Sequence, residues 1–571
     1  MRKSFFLVSV FLLLPVLLCA QNTICLRRNN QTFQTFRTDE VDSIVLVKGL
    51  LPVTESGYYV SSEQLDRVMS DISGVYAELK WLHDHWGYWG LNTLTSDEAR
   101  TPIRQPGNLW NDAGYWASLN SMTWNSKGKA IEYVWDTSIE GATFCNQIID
   151  LKHLIEPSKR AAIVAELEVL RVFYYYVLFD LFGRIPYTEE VPFDANKQYP
   201  LMEIQDVWVN LVACLERNAP LLPVVTASTK AQYYGRVTQG FAYGLLARLY
   251  LNAASYGVND VTNAYDKCVE YCNKVINSNA YSIEDNFFTN FLVNNEISNE
   301  NILVIVENGN PYFDHRSRDA MSNKLRINIS TQHYAFMELY GLLEKPWNGF
   351  AASTQFLALY DENDRRGPCP DAMGTDVDFQ DINKKYGWFL GPIKIDGKVA
   401  VDENGTPVVI TRNFKGQNNA TWNDGARLMK YETEIAPKVN QYMENDFVLF
   451  RYADVLYMKA EAILRGATNG SLSELLQMED FQKIRKRAGV QPYTVSTLTL
   501  DELLDERGRE FAWENIRRRD LIRFGKYTGN AYIWDFKPAD VPAYRNWFPI
   551  PQKHIEIHGN DDIPWKQNPG Y

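Results

Sequence analysis

Residues 161–182 constrain the fold most tightly. Leu167, Leu170, Tyr174, Val177, Leu178 and Leu181 recur at the three-and-four spacing of one helix face. Gly183 follows as a left-handed stop, and Pro186 prevents continuation. Such a helix needs neighbours, and other segments have the matching character. Around 238–254, Gly240, Ala242, Gly244 and Ala247 sit among larger apolar residues, a pattern that lets helices approach closely. The stretch 448–464 repeats the theme with Tyr452, Val455, Leu456 and Ala460 and ends at Gly466. A fourth helix is predicted from Thr499 to about Phe524, opened by a capping box of Thr499 and Glu502.

Between these helices lie 86–128, 284–350 and 365–430, rich in Gly, Pro, Asn and Trp. Loops of that length in a compact protein usually carry function. The expectation is a mostly α-helical scaffold with long ligand-binding loops. Repeated helix pairs with small residues at the crossings suggest a tetratricopeptide-like array, although no clean 34-residue period emerges.

The first twenty residues read as an export signal. Arg2 and Lys3 precede a short apolar run from Phe5 to Leu18. Cleavage after Ala20 would leave Gln21 as the new terminus; alternatively Cys19 is the lipid-modified cysteine of a lipoprotein. Leu18 stands where that modification prefers a small residue. Residues 31–48 alternate in β-branched fashion and predict a small hairpin, with Gly49 to Gly57 as linker. This gives a signal at 1–20, hairpin and linker at 21–56, and a helical domain at 57–571, divided into 57–340 and 341–571. No other stretch is long and apolar enough to cross a bilayer.

Charge and composition exclude several classes. With 58 Lys and Arg against 70 Asp and Glu the net charge is −12, contrary to the basic face that nucleic acid requires. A chain with 46% hydrophobic and 22% charged residues is neither disordered nor a multi-span membrane protein. Cys25, Cys145, Cys214, Cys268, Cys272 and Cys369 are too scattered for a disulfide framework and read mostly as buried thiols.

The aromatic residues suggest a chemistry. Trp81, Trp86, Trp89, Trp110, Trp116, Trp124 and Trp135 cluster early. A sugar ring has a C–H face that aromatic rings cover and a hydroxyl rim that Asn, Asp and Arg can bond. The stretch around Trp110 supplies both kinds, with Asp97, Arg104, Asn108, Asn111 and Asp112. A second candidate is Trp347, Asn348, Gly349 and Phe350, in a predicted loop after Pro346. Packing is the competing reading for every one of these tryptophans.

Charged clusters read as structure. Arg507, Glu510, Glu514, Arg517 and Arg518 fall at three-to-four spacing on one predicted helix, which supports ion pairing rather than a catalytic carboxylate pair across a cleft. Asp361, Asp364, Arg365 and Arg366 suggest a salt-bridged turn. The chain has no GxSxG, P-loop, GxGxxG or HExxH. His83 and His85, and His554 and His558, lack an obvious third ligand and read as solvated or capping histidines. No catalytic residue, cofactor or metal is expected.

Ordered segments then carry a family resemblance. They are AELEVLRVFYYYVLFDLFGRIPY at 165–187, VTQGFAYGLLARLYLNAASY at 237–256, LFRYADVLYMKAEAI at 449–463, LLDERGREFAWENIRRRDLIRFGK at 503–526 and WFPIPQKHI at 547–555, with QNPGY closing the chain at 567–571. Together they resemble the SusD/RagB family of Bacteroidetes outer-membrane nutrient-binding proteins. LTSDEARTPIRQPGNLWNDAGYWASLNSMTW, residues 94–124, is similar to an N-terminal loop of many members. The 31–48 hairpin and the residue before Cys19 depart from the usual pattern, which bears on the lipid anchor. The resemblance implies a TPR-like scaffold, no enzymatic activity, and residence at the outer-membrane surface. It also implies a partner, a SusC-like TonB-dependent barrel over which the protein acts as a lid. The ligand implied is an oligosaccharide, or peptide as in some members, with the segment holding Trp347 near the ligand groove. A TPR-like adaptor that binds only protein is a third reading.

Overall fold

The computed structural model describes residues 23–28, 31–37, 50–53 and 59–571, except 195, 260, 308–325, 343–344, 369–385, 396 and 435–442. The expected signal segment and Cys19 lie outside the described residues. Gln31–Arg37, the described part of the hairpin expected over 31–48, pairs antiparallel with the preceding Thr23–Arg28. Residues 1–67 and 68–571 form two compact units.

The frame of the second unit is a run of helices in which each packs on the next: α1 (Lys129–Asp150), α2 (Pro157–Phe182), α3 (Ile204–Asn218), α4 (Gln239–Tyr256) and α5 (Ala264–Ile276). A later helix, α6 (Tyr452–Leu464), closes on α5 and α4. The helix α2 exceeds its sequence pattern. From Ala165 to Phe182 every residue but Glu168 is buried, so the helix is enclosed on nearly all sides rather than along one stripe. Gly183 ends it with φ +74 and ψ −72, a positive φ that glycine accommodates but not the left-handed helical stop expected.

Small residues do sit at close approaches, but Gly240 and Gly244 face a loop and a strand rather than the neighbouring helix that the spacing suggests. A Cβ at Gly244 would overlap the Phe450 ring, and one at Gly240 would overlap Tyr281. A Cβ at Gly141 of α1 would enter the Tyr174 ring on α2. At these three positions rings close to backbone distance, the density expected of a packed interior.

Two predicted helices are corrected. The stretch 448–464 begins as a strand: Phe447–Arg451 pairs antiparallel with Asn301–Ile305, and helix starts only at Tyr452. A short apolar run satisfies either period, and a tertiary partner decides between them. The helix predicted from 499 to 524 is two, α7 (Leu500–Glu510) and α8 (Arg517–Arg523). The break holds Trp513 and Asn515 at φ +64 and +63. There the Trp513 amide donates to Glu98 Oε1 at 2.7 Å and its indole to the Glu98 carbonyl at 3.3 Å. Long-range bonds thus replace the helical ones. Of the capping box, Thr499 Oγ1 accepts from the Glu502 amide at 3.2 Å, while the Glu502 carboxylate turns to Arg485 and Arg509.

Glu506, Arg507, Arg509 and Glu510 of α7 are buried, and such charges knit the scaffold. Arg366 bonds Asp364, Glu506 and Glu510. Arg451 reaches Glu300, Glu510 and Glu514, and Arg487 reaches Glu300 and Glu510. Burial alone would raise these carboxylates, but facing guanidiniums prevail: beside Arg366, Arg509 and Arg485, Glu506 is held down at about 2. Cys145, Cys214, Cys268 and Cys272 are free and buried.

Candidate functional site

Three long loops meet on one side of the helical frame through two-residue strand pairs. Ala99–Arg100 pairs with Ala351–Ala352, and Arg104–Gln105 runs parallel to Ala420–Thr421. The Gln417 carbonyl accepts from the Ile103 amide at 2.8 Å, and the Trp422 indole donates to the Pro106 carbonyl at 3.0 Å. These short pairings bring the Trp110 and Trp347 segments together across 237 positions of sequence: Trp110 Nε1 donates to the Trp347 carbonyl at 2.8 Å, and the rings stand 6.3 Å apart.

Around them an aromatic patch assembles. Trp86 stacks on Tyr115 with centroids 4.8 Å apart. Both contact Trp116, which also meets Trp110 edge-on at 5.3 Å. His85 lies beneath, parallel to Trp116 at 5.6 Å and 5.2 Å from Trp347. Phe350 and Trp89 form the floor, and Trp89 continues to Trp513. Trp86, Trp110, Tyr115 and Trp347 keep part of their surface in solvent, whereas His85, Trp89, Trp116 and Phe350 are buried. His85 is thus no solvated histidine, contrary to the sequence expectation. Its Nδ1 lies 2.7 Å from Asp84 Oδ1, and the ring belongs to the aromatic stack.

The loop that presents Trp110 is strained. Gly107, Asn108, Trp110, Asp112, Ala113 and Gly114 all have positive φ. A left-handed tryptophan and alanine are unfavourable and persist only where the surroundings over-determine them. Here the surroundings do so. The Trp116 indole donates to Asp112 Oδ2, and the Trp110 ring lies so close over Gly349 that a Cβ there would enter the indole. The 347–350 segment is itself fastened by its amides: Trp347 to the Ile329 carbonyl at 2.8 Å, Asn348 to Gln332 at 3.0 Å, Gly349 and Phe350 to Ser330 at 2.7 and 3.0 Å.

The polar candidates lie underneath. Arg104 is fully buried and donates to the carbonyls of Gly349 at 2.8 Å, Thr421 at 2.8 Å and Asp424 at 2.9 Å. Asn348 Oδ1 accepts from Arg427, which also donates to the carbonyls of Trp422 and Asp424. Asp97 pairs with Arg517 at 2.8 Å and accepts from the Tyr532 hydroxyl at 2.9 Å. Asn111 is half-buried, its carbonyl accepting from the Gly114 amide. Of the seven sequence candidates, then, Trp110 and Trp347 share the patch and reach solvent. Asn111 lies along the same loop, Phe350 is the floor, and Asp97, Arg104 and Asn348 are interior braces. Burial lowers the Arg104 guanidinium to about 9, with Asp424 only partly offsetting it, and burial together with neighbouring Arg104 lowers Arg427 as well.

Tyr115 and Arg427 are members of the site that the sequence does not single out, and His85 is one that it reads as solvated or capping. Tyr115 lies four residues from Asn111, but nothing local distinguishes it from a packing tyrosine. Trp124 and Trp135 leave the early group, packing on Phe548 at 4.8 Å and Phe182 at 4.9 Å. Among the described residues one cluster has the ligand types of a cation site: Glu168, Glu189 and Cys214, whose ligand atoms lie within 4.8 Å of one another. Arg217 already bonds both carboxylates at 3.1 and 2.7 Å, so the charge a metal would supply is present.

With this geometry the chain can be set beside known proteins. A SusD family model matches residues 345–571, and a second, described as starch-binding associating with outer membrane, matches 88–251. The starch-binding protein SusD of Bacteroides thetaiotaomicron is 26% identical over 560 residues, covering 92% of each chain. The chain belongs to the SusD/RagB family. Among solved structures, surface glycan-binding protein A of Bacteroides thetaiotaomicron, in complex with laminarihexaose, superposes with a TM-score of 0.65 at 21% identity, over 88% of this chain and 99% of that one. A SusD superfamily protein of Parabacteroides distasonis gives 0.66 at 18%, over 89% and 99%. These establish that the SusD-like helical fold is shared. Among the described residues no helix is long and apolar enough to cross a membrane.

Proposed function

We propose that this SusD/RagB protein is a non-catalytic, surface-exposed glycan-binding protein of the outer membrane. It captures an oligosaccharide on the patch of Trp86, Trp110, Tyr115 and Trp347 and passes it to a SusC-like TonB-dependent transporter. The observation that carries the reading is the patch itself: four partly exposed rings from separate segments, with Trp110 on a strained loop and Trp347 on a segment fastened by its amides. Aromatic faces with fixed orientation cover the C–H faces of sugar rings at little entropic cost. The rings lie at angles to one another, 25° between Trp86 and Tyr115 and 52° between Trp110 and Trp347, so they follow a bent chain of sugars better than a flat one.

The names of the relatives support this reading, since SusD is called starch-binding and surface glycan-binding protein A was solved with laminarihexaose. Within the proposal, Asn111 and Asn108 supply hydroxyl contacts at the rim. Asp97, Arg104, Asn348 and Phe350 serve the ligand by fixing the rings. Cys19 as lipid anchor and the export signal complete the picture of a tethered surface protein.

The test is a retardation assay in native gels containing starch, laminarin or other plant, host and microbial polysaccharides, with a mixed peptide pool titrated by calorimetry. Retardation by one polysaccharide class is expected. Binding of peptides alone would leave the transport role and replace the ligand with peptide. Co-purification of a large outer-membrane barrel with the native protein tests the partner, and its absence under mild detergent would remove the transporter from the proposal.

A further inference from the structure

The four exposed rings of the patch are not held alike. Trp86, Trp110 and Tyr115 pack against the hydrophobic core, and Trp347 does not. Among the described residues the Trp347 ring meets two others, Trp110 at 6.3 Å and His85 at 5.2 Å, so its closer support is an imidazole. The Trp347 amide is fastened to the Ile329 carbonyl, but a main-chain bond leaves the side-chain torsions open. The angle of the ring is therefore decided by what lies against it.

His85 is placed to do this from common ground. It is buried, and besides Trp347 its ring lies 5.6 Å from Trp116, 5.8 Å from Trp86, 6.1 Å from Trp110 and 6.2 Å from Phe350. It thus touches both the Trp110 loop and the 347–350 segment while belonging to neither. Its own position is set at short range. The chain turns back on itself here: the Gly87 amide donates to the Asp84 carbonyl at 2.9 Å, and a Cβ at Gly90 would overlap the His85 carbonyl. Asp84 Oδ1 accepts from the Trp86 amide at 3.0 Å and lies 2.7 Å from His85 Nδ1, a close contact rather than an aligned hydrogen bond. A phenylalanine would fill the same space, but it offers no polar edge for the carboxylate to hold.

We propose that His85, held by Asp84, is a positioning residue that determines specificity: it sets the 52° angle between Trp347 and Trp110, and with it the curvature of the glycan that the patch accepts. The inference rests on the glycan reading above. Without the imidazole Trp347 loses its closer support and turns towards other rotamers, so a bent chain of sugars loses its fit while a straight one does not.

The test titrates the full chain and its His85→Ala variant with two bent hexasaccharides, laminarihexaose and maltohexaose, and a straight one, cellohexaose. The unsubstituted protein should prefer a bent chain. In His85→Ala the bent chain should weaken by about fivefold, the worth of one aromatic contact, with the straight chain unchanged. A merely structural role would weaken both alike, so an equal loss, or none, would overturn the proposal. A second readout needs no glycan. With 5-fluorotryptophan incorporated, the Trp347 fluorine line, assigned through Trp347→Phe, should broaden or split in His85→Ala while that of the distant, buried Trp208 stays as it was. A sharp, unmoved Trp347 line overturns the role of His85 even if glycan binds. A broadened line in a protein that binds none of the three glycans overturns the curvature claim together with the glycan reading, and upholds His85 as the support of Trp347. Should His85→Ala fail to fold, His85→Gln, which fills more of the space without a ring, carries the same expectations.

Discussion

The chain buries arginine in two ways, and the contrast separates scaffold from site. In the α7 region, Arg366, Arg451 and Arg487 face Glu300, Glu506, Glu510 and Glu514. These partners are side-chain charges; burial would depress the guanidiniums, but the facing carboxylates raise them. Under the aromatic patch, Arg104 and Arg427 face mainly main-chain carbonyls, and burial lowers both. Ion pairs between side chains lock helices to one another. Guanidinium-to-carbonyl bonds lock loop backbone, which is what a patch of loop-borne rings needs. Carbonyl bonding fixes the path of the chain while leaving side chains free to face solvent.

The largest effect is expected on the scaffold side. Arg451→Met removes the guanidinium shared by Glu300, Glu510 and Glu514, leaving Arg487, Arg366 and Lys430 to face three buried carboxylates, and we expect about 3–5 kcal/mol of lost stability. Chemical denaturation measures it, and a loss below about 1 kcal/mol would reduce the network to the rank of surface pairs.

At the patch, Trp347→Ala and Trp110→Ala should each weaken glycan binding by about 2 kcal/mol, roughly thirtyfold, with the scaffold's unfolding midpoint little changed. Gly349→Ala acts on the backbone beneath a ring rather than on the ring itself. Its Cβ displaces Trp110, so we expect affinity to fall about tenfold and stability to drop by about 1–3 kcal/mol. Unaltered affinity would show that Trp110 does not need its present seat.

The pH response should have two limbs. Glu506 is held near 2 by its arginines, so its stabilisation is complete above the ordinary glutamate range and is lost as pH falls towards 2. Glu98 behaves oppositely. Burial pushes it up to about 8, against the opposing bond from the Trp513 amide. Folding therefore favours its protonated form, and stability declines as pH rises from the ordinary glutamate range through about 8. Glu98→Gln keeps an acceptor for Trp513 and should flatten the alkaline limb alone. Melting curves from pH 3 to 9 for both proteins check this, and identical alkaline limbs would contradict it.

Much of the scaffold is legible in sequence because its causes are local. Gly240 and Gly244 mark close approaches, although the rings they meet, Tyr281 and Phe450, come from a loop and a strand rather than a helix. The spacing of Arg507, Glu510 and Glu514 suggests ion pairing, and all three are paired. The site is harder to read, since its causes are distant. Asp97 looks like a loop carboxylate facing water until Arg517, 420 positions away, is placed beside it. Arg104 looks like a hydroxyl clamp until the carbonyls of Gly349 and Thr421 appear around it. Trp513 sits inside a strong helical pattern, and only its bond to Glu98 reveals the break. Ring proximity between Trp110 and Trp347 likewise depends on two-residue strand pairs too short to leave a period.

Whether the aromatic patch binds glycan is decided by isothermal titration of the protein and its Trp347→Ala variant with laminarihexaose and a malto-oligosaccharide of similar length. We expect saturable heat with at least one glycan for the unsubstituted protein and a loss of roughly thirtyfold in the variant, at unchanged melting temperature. Undiminished glycan binding by a folded Trp347→Ala protein would contradict the assignment of the patch.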